Sequence, residues 1–198
     1  MSGRTVAAMA ASLLLRYPDE EALAALPAIR SALLELPSTM AEPLALVVTH
    51  RSCGDPMALA AEYVELFDLR RRCCLYLSYY TAGDTRARGE ALVAFAAAYR
   101  EAGFAIAGGE LPDHLPTVLE LAAHAGEPGW ALLRRHRVGL DLLAAALTGS
   151  VYRHAVEAVR SMLPPPGPAD LVAAATLARS GPPREEVGLQ PFTLGGRR

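Results

Sequence analysis

Apolar residues recur along this chain at steps of three and four, and the runs are broken at prolines and glycines. That spacing predicts helices throughout the first 163 residues. Val6, Met9, Ala10 and Leu13 share one face of a first helix, from Val6 to Arg16, which Pro18 ends. Asp19, with Glu20 and Glu21 behind it, suits the start of a second, where a capping carboxylate and acidic first turn meet the helix dipole. That stretch is kinked or split near Pro27 and stops before Pro37, while Pro43 and Pro56 read as first-turn prolines of two further helices. The Pro56 helix would turn Leu59, Tyr63 and Leu66 inward.

Asp84 reads as the N-cap of a helix running to Glu101, with Leu92, Phe95 and Tyr99 on one face and Gly103 just past its end. Asp113 reads as the cap of the next, whose apolar stripe is Leu115, Val118, Leu119 and Ala122. A long helix is expected from Pro128 to Leu147, then one more from Ser150 to Leu163. At Pro164-Pro165-Pro166-Gly167-Pro168 the texture changes. Residues 164–198 read as a Pro- and Gly-rich flexible tail with at most one or two helical turns between Ala169 and Arg179. The expectation is therefore an all-α, single-domain helical bundle over residues 1–163, followed by that tail.

Composition agrees: Ala and Leu, which favour helices, dominate a chain that is 52% hydrophobic and 20% charged over 198 residues. A net charge of −2 gives no electrostatic basis for nucleic-acid binding. Every basic side chain apart from the histidines is arginine, so a phosphate-loop lysine and a Schiff-base lysine are both excluded. The N-terminal apolar run is too short to span a bilayer and lacks a small-residue cleavage site, so no stable membrane insertion is expected and the cytoplasm is the expected compartment. Three cysteines, two of them adjacent, do not make a disulfide framework.

Candidate chemistry is concentrated between Tyr63 and Ala123. His50 and Cys53 have ligand spacing, but neighbouring Cys73 and Cys74 complete a tetrahedral set poorly, so no metal is expected. Either of those thiols lacks a sequence-adjacent base. The Gly83, Asp84, Thr85, Arg86 to Gly89 turn reads as a structural turn and cap; its alternative is an anion cradle at a helix start. Asp113 and His114 sit on a stiff corner between Pro112 and Pro116, flanked by Leu111 and Leu115, which fits a helix cap or a peptide-binding corner equally. Tyr76, Tyr79 and Tyr80 are residues that both cores and interfaces favour. Arg71 and Arg72, with Arg70, read as a solvated or ion-paired face able to steer an acidic partner.

In order, Tyr17-Pro18-Asp19-Glu20, Tyr63 to Asp68, Arg71 to Tyr80, Gly83 to Arg86 with Arg88-Gly89, and Glu110 to Pro116 resemble the nitrate reductase delta-subunit family, the NarJ-type molybdenum cofactor assembly chaperones. The resemblance covers about residues 5 to 163. It implies a helical bundle of the redox-enzyme maturation chaperone type, without catalysis and with no cofactor of its own. It implies a system-specific chaperone in the cytoplasm that binds the apo catalytic (alpha) subunit of respiratory nitrate reductase, notably its N-terminal segment. The chaperone would hold that subunit competent for molybdenum cofactor insertion and membrane assembly. The family's Pro-Asp-His corner, here Pro112, Asp113 and His114, is associated with the client peptide. Leu115, the three tyrosines, Arg71 and Arg72 are the expected surroundings. A histidine there would shift affinity between about pH 6 and 8. The alternative is a nucleotide-binding or enzymatic helical protein that uses the Gly83–Gly89 turn with Asp113-His114.

Overall fold

The computed structural model describes residues 2–106 and 108–183, and among these every regular element is helical. The first helix, α1 (Gly3–Leu14), is central. Its Ala7, Ala8, Ala11 and Leu14 are fully buried, and the small side chains let neighbouring backbones approach closely. α8 (Leu115–Ala125), α4 (Ser38–Cys53) and α11 (Tyr152–Ser161) pack around it. The Ser12 hydroxyl, buried in the α1–α8 contact, donates to the Pro116 carbonyl at 2.8 Å. α9 (Glu127–Arg135) lies so close to α8 that a Cβ on Gly129 would stand 2.2 Å from the Ala122 nitrogen.

Several expected boundaries hold. Asp19 accepts the Ala22 N–H at 2.8 Å and starts α2 (Glu20–Ala24), and the chain re-enters helix at once as α3 (Leu26–Leu33) with Pro27 in its first turn. Asp55 caps α5 (Pro56–Tyr63) through the Ala58 N–H. α5 runs into a single wide π turn, Val64–Asp68, closed by the Leu69 N–H on the Val64 carbonyl at 3.0 Å. Leu66 and Phe67 are both buried there, while Asp68 emerges at the surface.

Other boundaries differ. Pro43 lies inside α4 rather than at its start, because the Pro37 carbonyl already accepts from Met40 and Ala41 and nucleates the helix earlier. Leu147 does not end one helix begun at Pro128. The chain breaks at His136 (φ −102°, ψ 24°), giving α9 and then α10 (Arg137–Ala146). Arg134 and Arg135 stand in the last turn of α9, where cations complement a helix C-terminus. Arg137 then turns to Asp141 and to the Pro164 carbonyl at 2.5 Å. The Ser150 hydroxyl accepts from the Tyr152 N–H at 3.3 Å at the start of α11. Residues 168–180 form α12 (Pro168–Ser180), thirteen residues long and so longer than expected. It packs on α10 yet buries no residue fully. The rest of the expected tail, residues 184–198, lies outside the described residues.

The C-terminal end of α1 is tied internally. Arg51, 2% exposed, donates to the Leu13 and Arg16 carbonyls at 3.0 and 2.5 Å, and the Tyr63 hydroxyl donates to Leu15 at 3.1 Å. The last carbonyls of the helix, which have no partner inside it, are satisfied in this way.

Two outcomes follow from this packing. Burial, helped by Arg135, pushes His136 down from 6.5 to about 4. Between those values the unfolded chain takes up a proton that the folded chain excludes, so stability falls as pH drops through that window, by about 3 kcal/mol at its lower end. Urea titrations between pH 7 and pH 4 should show a steeper loss for the wild type than for His136→Gln; parallel curves would contradict this. Truncation after Pro166 removes α12 but no fully buried residue, so the melting temperature should fall by no more than about 4 °C; a larger fall on calorimetry would show that α12 is part of the cooperative core.

Candidate functional site

After a single 3-10 turn, Arg71–Cys73, the chain becomes extended. Leu75 and Leu77 point inward, 3% and 0% exposed, and Tyr76 between them points out, the alternation of a strand. This short segment pairs with the Pro-Asp-His corner. The Leu77 N–H donates to the Asp113 carbonyl at 3.0 Å and the Leu115 N–H to the Leu75 carbonyl at 2.8 Å. Tyr76 and His114 thereby form an isolated antiparallel bridge, with rings 5.4 Å apart.

Asp113 does not cap α8 as expected. His114 holds the cap position and no side chain accepts there. Asp113 is fully buried instead, and its Oδ2 accepts from the Ser78 N–H at 3.1 Å and the Ser78 hydroxyl at 2.5 Å. The carboxylate therefore serves the start of a different helix, α6 (Tyr79–Ala82). Its other oxygen has no hydrogen-bond partner among the described residues. A side chain in this position cannot touch a partner; it holds two surface segments together from beneath.

Around the bridge, the Tyr76 hydroxyl donates to Glu110 Oε1 at 3.0 Å, and His114 Nδ1 stands 3.8 Å from the same carboxylate. Burial lowers the His114 pKa, opposed by Glu110 and Asp113. A pH response of this imidazole accordingly belongs below its ordinary 6.5 rather than across pH 6 to 8. Tyr80 is buried, with its hydroxyl directed at the Arg72 and Cys74 carbonyls at 2.9 and 2.8 Å. Leu115 is 0% exposed, so Leu111, at 38%, is the leucine of this corner that solvent reaches. Pro112 is half-buried. Burial raises the Cys73 and Cys74 pKa values, which keeps both as neutral thiols. Among the described residues no group of three His, Cys, Asp or Glu side chains could hold a metal ion.

Asp84 does not cap the helix that follows the Gly83–Gly89 turn. Thr85 occupies the cap position of α7 (Arg86–Glu101), and its hydroxyl donates back to the Ala82 carbonyl at 2.7 Å. Asp84 pairs with Arg71 at 3.4 Å and Arg88 at 3.3 Å; two cations attract the carboxylate more than one exposed N–H does. Arg88 in turn lies 5.5 Å over the Tyr76 ring and 6.0 Å over Tyr79. Gly83 has φ +59°, and the Pro183 carbonyl oxygen sits 1.8 Å from where its Cβ would be. Arg86 and Gly89 lie on the exposed side of the turn, and Arg72 is exposed nearby.

On the other side of Tyr76 and His114 opens a cleft of about 610 Å³. The end of α1, the π turn, residues 104–106 and the exposed edge of α8 wall it. Arg16, Asp68, Tyr99 and Glu120 reach it, and nothing in the linear spacing singled these out. The signals present were the acidic residue ending the Tyr63–Asp68 motif and a tyrosine on the inner face of α7. Tyr79, Arg71 and Arg72 do not line the cleft, so the expected site residues divide between it and the turn.

Residues 18–150 match the model of the nitrate reductase delta subunit family. The nitrate reductase-like protein NarX of Mycobacterium tuberculosis is 43% identical over 152 residues, 75% of this chain and 23% of the relative. The nitrate reductase molybdenum cofactor assembly chaperone NarJ of Escherichia coli is 36% identical over 119 residues, 57% of this chain and 49% of that one. The chain thus spans less than half the length of either relative. A redox enzyme maturation protein of Archaeoglobus fulgidus, known from a crystal structure, superposes with a TM-score of 0.58 at 25% identity, over 79% of this chain and 91% of that one.

The two aspartates should separate sharply on substitution. Asp113→Ala strands two buried donors at Ser78 and should cost about 2–4 kcal/mol. Asp84→Ala breaks exposed ion pairs and should cost at most about 1 kcal/mol. Denaturant unfolding of both variants checks the order, and equal losses would contradict the roles assigned here.

Proposed function

The chain belongs to the nitrate reductase delta-subunit family, and on that premise we propose that it is an assembly chaperone for respiratory nitrate reductase. Its client is the apo catalytic (alpha) subunit, bound by its N-terminal segment in the cytoplasm. The chaperone holds that subunit competent for molybdenum cofactor insertion and for assembly at the membrane. The relative in Escherichia coli is named as a nitrate reductase molybdenum cofactor assembly chaperone.

One observation carries the reading. The two motif segments that are distant in sequence, Leu75–Leu77 and Asp113–Leu115, clasp each other at the rim of one cleft. Its volume lies in the range of binding pockets and suits part of a helix laid in a groove. Tyr76 and His114 present their partly exposed edges to it, while Asp113, Leu115 and Tyr80 hold those edges in place from the interior. No helix among the described residues is long and apolar enough to cross a membrane.

Calorimetric titration with a synthetic peptide of the catalytic subunit's N-terminal segment tests the reading. His114→Ala and Tyr76→Ala should each weaken binding by about tenfold, with the melting temperature changed by only a few degrees. Full affinity in both variants would move the site away from the clasp. Absence of binding by the wild type would overturn the chaperone reading itself.

A further inference from the structure

The cleft is more negative than its single arginine can balance. Asp19, Glu21, Asp68, Glu110 and Glu120 line it, against Arg16. Three of these carboxylates are already engaged: Asp19 caps α2, Glu120 pairs with Arg16, and Glu110 accepts from Tyr76. Asp68 and Glu21 are exposed, and among the described residues neither side chain has a hydrogen-bond or ion-pair partner.

An independent feature points to the same place. Tyr99, 4% exposed, lines the cleft, and among the described residues its hydroxyl has no hydrogen-bond partner. A buried polar group left unsatisfied is costly, and a ligand supplying an N–H would relieve it. Tyr17, Tyr63 and Phe104 add aromatic walls, with Tyr17 and Tyr63 in edge contact at 5.5 Å. Carboxylates beside aromatic faces are the surroundings that favour a guanidinium or ammonium group. An anionic segment would be repelled by the same walls.

We propose that this cleft recognises a cationic side chain, arginine or lysine, carried by the client segment. The cation pairs with Asp68 and Glu21, lies against the tyrosine walls, and donates to the Tyr99 oxygen. The assignment rests on the chaperone reading above and sets the chemistry of the segment which that reading leaves open. It also reverses the expectation from Arg71 and Arg72 that the partner is acidic.

The test uses the full chain and two synthetic peptides: the N-terminal segment of the catalytic subunit, and a copy with every arginine and lysine changed to glutamine. Calorimetry at about 0.05 M and about 0.5 M salt separates charge from apolar contact. The native peptide should bind about tenfold more tightly than the neutral copy, and only its affinity should fall with salt. The double variant Asp68→Asn, Glu21→Gln should weaken the native peptide to the level of the neutral copy while leaving the neutral copy unaffected. Tyr99→Phe should also weaken the native peptide, with a melting temperature equal to or above that of the wild type, which a merely structural tyrosine would not show. Equal binding of both peptides, or a double variant with full affinity, overturns the cation site and leaves the chaperone reading standing. A native peptide that binds at neither salt concentration overturns both.

Discussion

The buried carboxylate of Asp113 is the constraint on which the candidate site depends. It lies wholly out of solvent and accepts two donors from Ser78. A charge in such a place is tolerated only where hydrogen bonds replace water. Because both donors come from the segment after Leu77, satisfying the carboxylate also fixes Leu75–Leu77 against Asp113–Leu115. The outward side chains of that pairing, Tyr76 and His114, are then obliged to stand together at the cleft. A residue that looks like part of the recognition surface thus acts by shaping that surface from below.

A second anchoring sits at the end of α1. The Leu13, Leu15 and Arg16 carbonyls are taken by Arg51 and Tyr63. Arg16 and Tyr17 follow immediately and line the same cleft. The α1–α8 contact, with Ser12 on the Pro116 carbonyl, fixes the distance between the two anchored regions. Polar bonds buried inside an apolar bundle carry a penalty when incomplete, so the cleft walls inherit the order of the core. Neither Arg51 nor Ser12 stood out in the linear chain. Each is polar on an otherwise apolar face, which reads as solvent exposure until the neighbouring carbonyls are known.

Local signals were legible where one segment decides the outcome by itself. Asp19 caps the helix that follows it, Pro56 stands in the first turn of another, and Pro27 divides two helices. They failed where a distant segment competes for the same group. Asp84 precedes a helix, yet Arg71 and Arg88 draw it away; Asp113 precedes another, yet Ser78 claims it. The break at His136 belongs to the same class. Its ring packs 4.6 Å from Phe95 of α7, a contact that no periodicity within Pro128–Leu147 contains. The members of the site that the motifs supplied, Tyr76 and His114, were legible because their motif segments are contiguous; Tyr99 was not, because its importance lies in a hydroxyl left unpaired by the fold.

Charge is the property that the linear chain disguised most. Arg70, Arg71 and Arg72 dominate the eye, and the chain as a whole is nearly neutral at −2. In the folded chain Arg70 pairs with Glu65 and Arg71 with Asp84, so this arginine run is partly neutralised on its own face. The carboxylates of Asp68, Glu110 and Glu120 come from three different elements and converge on the other side of Tyr76. The field inside a concave, low-dielectric cleft exceeds that of the same charges spread over a convex surface. Arg88, which does not line the cleft, holds positive charge 5.5 Å over the ring of the same tyrosine. An approaching cation is thus drawn toward one side of the clasp and repelled from the other, which gives a docking segment a direction as well as a place.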